Sequence, residues 1–197
     1  MPKLDNPERS SAPTLREFFA PNVFSVRAVA ALAMLLAIRA VLGLPFLTIY
    51  ITPEFKLITF AYVTDAMAAM FFGPIAGMVF AFAGDALGFF ASSGVGGPYF
   101  PGFALSEMIT CFIFACFFYK RQITWLRVII AWLLDVVIVQ ILLNPFWLIL
   151  MYGAKAGEVY AVLRVVSSLV QSPLHIAILY FLLTRIRRLD RYLHQPG

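Results

Sequence analysis

The sequence predicts an all-α membrane protein, a six-transmembrane-helix bundle with both termini cytoplasmic. Three observations carry that prediction. The first is composition: the 197 residues are 62% hydrophobic and 13% charged, with a mean hydropathy of +0.89. Ordinary soluble domains are about 45–50% apolar and about 25% charged, so this chain lacks the polar groups to cover a soluble surface. The second is that the apolar residues fall into six runs separated by Pro, Gly and charged clusters. The third is charge placement. If the runs cross a membrane in turn, Lys3, Arg9, Arg16, Arg27, Lys120, Arg121, Arg127, Arg185, Arg187, Arg188 and Arg191 collect on one side and Lys56 and Lys155 on the other. Short cytoplasmic segments carry the excess of Lys and Arg, which places both ends inside. The net charge of +5 therefore points to membrane orientation and not to nucleic acid.

Residues 1–22 are polar, with four prolines and mixed charges, and read as a cytoplasmic or interfacial segment. Thr14 to Glu17 has the form of a capping box. The first span covers about 23–44, and Ala30, Ala33, Ala37 and Ala40 share one face of it. Such small faces let another helix approach closely in lipid. Residues 45–56, with two prolines among β-branched and aromatic residues, predict an extended loop or hairpin. The second span covers about 57–72 and the third about 75–91, joined by a tight turn at Gly73-Pro74. Gly73, Gly77, Ala81, Gly84 and Gly88 form a second small-residue stripe and predict close packing. Residues 92–100 are too Gly-rich for helix or strand. The fourth span covers about 101–119, with Pro101 suited to its first turn. The fifth covers about 126–150, with Pro145 kinking it or ending its regular part. After a loop at 152–158 the sixth covers about 159–184, with a kink expected at Pro173, and a basic tail follows. The loops 45–56, 92–100 and 152–158 face outward in this topology, which suggests a binding site open to the outside.

Ionisable residues inside apolar runs are costly, at about 2.5–3.5 kcal/mol each near the bilayer centre. Six fall within or beside the runs: Arg39, Asp65, Asp85, Glu107, Asp135 and Arg164. Arg39 and Arg164 lie in outer halves of their spans, where a guanidinium holds a carboxylate bidentately or snorkels to the headgroups. Asp85 either accepts from a ring amine of a ligand or pairs with an arginine. Asp65, Glu107 and Asp135 suit structural pairing or an interfacial position. Asn144 either satisfies backbone freed at Pro145 or reads a heteroaromatic edge. Trp147 and Gln171 add further polar capacity, and His175 fits a hydrogen-bonded structural role. Tyr99 and Phe100 sit in the outward loop, placed to stack on a flat ring or to close over it. Cys111 and Cys116 read as small apolar core residues.

No phosphate loop of the G-x-x-x-x-G-K-[ST] form occurs, so ATP hydrolysis by that route is excluded from this chain. Neither H-E-x-x-H nor G-x-S-x-G is present, and two cysteines with two distant histidines make no metal cluster. No metal and no cofactor is expected. An intramembrane enzyme, which needs no short motif, stays open as an alternative.

The run Gly97-Pro-Tyr-Phe-Pro-Gly-Phe-Ala-Leu-Ser106 resembles the loop-and-helix signature of the folate-specific S components of energy-coupling-factor (ECF) transporters. Phe72-Gly-Pro-Ile-Ala-Gly77 is similar to that family's turn between its second and third helices, and Gly84-Asp-Ala-Leu-Gly88 to its acid-containing motif. Leu143-Asn-Pro-Phe-Trp-Leu148 with Met151-Tyr-Gly153 resembles its fifth helix and outer loop, and Arg164 with the Pro173 region its sixth. The likeness covers about 28–184. It implies a subunit that captures a folate-like small molecule from outside and docks on a membrane-embedded coupling subunit bearing two ATPase subunits. The docking motif would be Ala33 to Ala37, and the subunit would topple in the lipid bilayer to deliver its ligand. Under this resemblance residues 23–186 form the substrate-binding membrane domain and 187–197 a basic cytoplasmic tail. The implied site draws on Arg39, Asp85, Tyr99, Phe100, Asn144, Trp147, Arg164 and Gln171. The chain departs from the pattern at Leu44, where an arginine is expected, at Ser167 and Ser168, where basic and amide residues are, and at His175, where an amide is common. An S component for pantothenate, riboflavin or a queuosine precursor is the alternative within the same architecture.

Overall fold

The structure, a computed structural model, describes residues 26–43, 49–52, 55–58, 60–91 and 99–193. The N-terminal segment 1–22, most of the loop 92–100, parts of 45–56 and the last four residues lie outside the described residues.

The described residues form a helical membrane bundle. Helix α1 is Val26–Leu42. Strands β1, Ile49–Thr52, and β2, Phe55–Ile58, pair antiparallel as a hairpin, one of the two forms expected for 45–56. Helix α2 is Ala61–Ala91 and helix α3 Pro101–Phe118. Helix α4, Trp125–Asp135, runs through a π-helical segment, Val136–Leu143, into α5, Asn144–Tyr152. Helix α6 is Ala154–Leu193. Among the described residues, four stretches are long and apolar enough to cross a membrane: Ala61–Phe90, Pro101–Phe118, Trp125–Tyr152 and Val165–Arg187.

Helix α2 consists of two arms. Gly73 has φ 83° and ψ −175°, a left-handed value that L residues avoid, and Pro74 starts the second arm. A Cβ on Gly73 would also lie 3.1 Å from the Tyr119 ring. The arms then fold together over small residues, and a Cβ on Gly77 would lie 3.3 Å from the Ala69 Cα. The second stripe of small residues seen in the sequence is therefore used within the chain. The first is not, because Ala33 and Ala37 are exposed and α1 buries only Leu35 and Arg39. The first arm, to Phe72, is about 18 Å long. That is well short of the roughly 30 Å hydrocarbon layer, and the hairpin occupies the chain between it and α1.

The main core joins α2, α3, α4 and α6 through Phe114, Phe118, Val128, Leu179 and Leu183, all fully buried. Large apolar side chains such as Val170 and Leu126 are exposed. On a membrane protein those faces meet lipid instead of water.

Pro145 has no N–H, and its ring crowds the carbonyl four residues earlier. The helix responds upstream by widening over Val136–Leu143, where the Asn144 N–H bonds to the Val139 carbonyl. Such widened turns recur at functional sites. Helix α5 ends at Gly153, with φ 81°. Pro173, by contrast, sits inside the continuous helix α6. At one end of the bundle Trp125 stacks on Tyr180 with centroids 4.1 Å apart, close to Arg127 and Arg185 in sequence. That is the aromatic and basic composition of a membrane interface.

Candidate ligand-binding site

Three groups of polar and aromatic side chains lie inside the bundle, and each is placed by a different packing constraint.

The first group surrounds Arg39. Its Nε donates to Asp65 Oδ1 at 2.7 Å, and its Nη2 donates to Asp65 Oδ2 at 3.1 Å and to Glu107 Oε2 at 3.3 Å. Asp65 is fully buried, Arg39 is 7% exposed and Glu107 37%. The pair with Asp65 is bidentate, the geometry in which guanidinium and carboxylate hold most strongly. Gly84 makes room for it, because a Cβ there would collide with the guanidinium. The ion pairs tie α1 to the first arm of α2 and to α3. The structural pairing expected for Asp65 is present, and its partner is an arginine that the sequence also offers for a ligand carboxylate.

The second group is aromatic. The rings of Phe100 and Trp147 lie 5.8 Å apart at 51°, and Phe103 meets Phe100 edge-on. Trp147 Nε1 donates to Ser106 Oγ at 3.1 Å, which fixes the indole across α3 and α5. Gly102 lies beneath both rings, and a Cβ on it would come within 2.6 Å of Trp147 Cδ2 and collide with Phe100. Tyr99 packs on Phe89 at 5.1 Å and donates its hydroxyl to Asp85. Desolvation, and then the Asp85 carboxylate, raise that phenol above its ordinary range. Asp85 thus bonds a loop tyrosine, a partner not among those read from the sequence.

The third group is a polar chain with buried ends and a partly buried Gln140. Thr110 Oγ1 donates to Asp135 Oδ1 at 2.5 Å, the Gln140 side chain also bonds Asp135, and Asn144 Nδ2 donates to Gln140 Oε1 at 3.0 Å. Asn144 is 2% exposed, and its Oδ1 has no hydrogen-bond partner. Ser167, Gln171 and His175 lie along one buried face of α6. His175 packs against Tyr62 at 4.1 Å and edge-on to Trp132 at 4.7 Å. Both of its ring nitrogens and the Tyr62 hydroxyl are buried without a hydrogen-bond partner. The hydrogen-bonded role expected for His175 is not what the structure shows: the ring is held by aromatic packing. Arg164 falls in α6, and its side-chain placement lies outside the described residues.

The fold therefore brings Phe100 and Trp147 together and sets Tyr99 beside Asp85. It buries Asn144 and Gln171, and it engages Arg39 with two acids. Reading the sequence passed over Gln140, Thr110 and Tyr62. Gln140 carried a signal, since it is the one amide inside the run Val136–Leu143, four residues before Asn144. Buried polar atoms need partners, so the orphaned Asn144 Oδ1, Tyr62 hydroxyl and His175 nitrogens suit a polar ligand held between helices. Among the described residues no group of acids, histidines and cysteines is arranged to hold a metal ion.

A bundle of apolar helices with an aromatic and amide site inside it defines a membrane binding protein. Residues 27–184 match the family described as ECF transporter, substrate-specific component, and the chain belongs to that family. It is accordingly a transport protein of the plasma membrane that crosses it several times, and membership implies coupling and ATPase subunits as partners. Among curated relatives, "Folate transporter FolT" of Clostridium novyi is 32% identical over 133 residues, 68% of this chain and 76% of that protein. "Folate transporter FolT" of Leuconostoc mesenteroides is 32% identical over 157 residues, 77% of this chain and 82% of that protein. Among solved structures, "Crystal structure of FolT bound with folic acid" superposes with a TM-score of 0.71 at 32% identity, covering 82% of this chain and 95% of that one.

Proposed function

We propose that this chain is the folate-binding S component of an ECF transporter, taking folate or a related pterin from outside the cell. The observation that carries the reading is the likeness in sequence and structure to folate transporters, one of them solved with folic acid bound, over most of the chain. The site is consistent with it. Phe100 and Trp147 offer faces for a flat heterocycle, with Tyr99 at its edge. Asn144 and Gln171 read polar ring edges, and Asp85 holds the loop tyrosine in place. Arg164 meets the carboxylate end. Arg39 supplies a second cation, with Glu107, the longer and more exposed of its two partners, as the one a ligand carboxylate displaces.

In this proposal the two arms of α2 are separate membrane passes, which gives six helices, and the basic end of the bundle with both termini is cytoplasmic. Residues 1–22 lie at the inner surface, 23–186 form the binding domain and 187–197 the basic tail. The chain docks through Ala33 and Ala37 on a coupling subunit that carries two ATPase subunits, and toppling delivers the ligand.

Uptake tests the reading. A folate auxotroph that expresses this chain with a coupling module is expected to grow on low folate, and ATPase-dead partners are expected to abolish growth. Rescue of a pantothenate or riboflavin auxotroph, and not of the folate auxotroph, would move the assignment to another vitamin. Asn144→Ala and Arg164→Ala are each expected to weaken folate binding by about 1–3 kcal/mol, measured by tryptophan quenching. Unchanged affinity in both would remove those residues from the site. Replacing Ala33 and Ala37 by leucine is expected to block uptake and leave ligand binding intact. Loss of binding instead would place that face inside the functional bundle.

A further inference from the structure

Inside the membrane an amide side chain has few ways to be satisfied, so the partner of one end decides what the other end presents. Asn144 carries two N–H donors and one carbonyl acceptor. Its nitrogen is bonded to Gln140 Oε1 at 3.0 Å, and its Oδ1 has no partner. The orientation of Gln140 is decided in turn by Asp135. The Asp135 carboxylate takes the Thr110 hydroxyl at 2.5 Å and the Gln140 side chain. A carboxylate that accepts both bonds leaves Gln140 one arrangement, with its NH2 toward Asp135 and its carbonyl toward Asn144. From Asn144 through Gln140 to Asp135 the bonds then run one way, Thr110 donates to Asp135 from the other side, and the free group at the Asn144 end is an acceptor. Thr110 is 7% exposed, Asp135 2% and Asn144 2%, so both ends and the anchor are buried, and Gln140 between them is partly buried. The run of bonds also spans the widened segment Val136–Leu143, where α-helical bonding does not hold the backbone in register.

We propose that Gln140, anchored by Asp135 and Thr110, is a positioning residue that locks Asn144 as a hydrogen-bond acceptor toward the ligand, so that the site selects a ring edge that presents N–H donors. The inference rests on the placement of Asn144 in the ligand site. It deepens that placement by assigning polarity: the amino-bearing edge of a pterin ring meets this requirement, and an edge carrying only carbonyl and ring-nitrogen acceptors does not.

The anchor of Gln140 on Asp135 can be broken and rebuilt without changing side-chain volume. Gln140→Glu keeps an acceptor for Asn144 but removes the donor to Asp135 and sets two acids side by side. Adding Asp135→Asn restores the pairing with the middle bond reversed, because the new amide donates to the new carboxylate, which still accepts from Asn144. Folate affinity of the full-length chain in detergent would be read by calorimetry, with thermal unfolding followed in parallel. Gln140→Leu and Gln140→Glu are each expected to weaken binding at least tenfold, and the double variant is expected to recover most of the loss. Wild-type affinity for Gln140→Leu, or a double variant that binds no better than Gln140→Glu, overturns the proposal. If Gln140→Leu fails to fold, the comparison of Gln140→Glu with the double variant decides alone. A wild-type chain that binds no folate overturns the functional reading instead. The same variants are then titrated with riboflavin or pantothenate, whichever the wild type binds, and an unrestored double variant again overturns the relay.

Discussion

Asp65→Ala is expected to destabilise the folded chain by about 3–5 kcal/mol, the usual cost of leaving one half of a buried ion pair behind. Asp65 is fully buried and takes both the Nε and the Nη2 of Arg39. Without it the guanidinium keeps one contact, a 3.3 Å bond to the partly exposed Glu107. Gly84 leaves a cradle shaped for the guanidinium and offers no replacement acceptor from a side chain. Removing both charges together, as Asp65→Ala with Arg39→Met, is expected to recover most of the loss, since an apolar pair of similar volume is often neutral. Thermal unfolding of the purified protein in one detergent checks both. A single variant as stable as the wild type would mean that the ion pair does not hold α1 to the bundle.

Gly102→Val acts on the ligand site and not on the anchor. The first atom of the new side chain would lie 2.6 Å from Trp147 Cδ2 and collide with Phe100. Overpacking of this kind costs about 1–3 kcal/mol, and the rings that must move are those proposed to face the ligand. Folate binding is expected to weaken about tenfold or more, since each 1.4 kcal/mol is about a factor of ten. Tryptophan fluorescence is expected to shift as the Trp147 to Ser106 bond is disturbed. Unchanged folate affinity beside a shifted spectrum would exclude the Phe100 and Trp147 pair from the binding surface.

Much of the architecture was legible because lipid imposes simple rules. Apolar runs mark the helices, Gly73-Pro74 marks the turn between the arms of α2, and residues 45–56 carry the prolines and β-branched residues of a hairpin. The small-residue stripes were legible as faces but not by use. Spacing shows that Gly77 and Ala33 each lie on a face of small residues, and only the packed chain shows Gly77 against Ala69 while Ala33 is exposed. The π-helical segment was not legible, because Pro145 can be accommodated by a kink, a break or a widened turn. Pairing was the hardest to read. Arg39, Asp65 and Glu107 are far apart in the chain, and six ionisable residues in apolar runs allow many pairings until the helices are placed. Gln140 was missed for a related reason. One amide in an apolar run is unremarkable until Asp135 and Asn144 are found at its two ends.

The most direct test of the central claim is calorimetric titration of the purified full-length chain, without partner subunits, with folate. The account predicts saturable, tight binding of one folate per chain, accompanied by quenching of tryptophan fluorescence. Absence of folate binding by protein that is folded and that binds a different vitamin under the same conditions would contradict it.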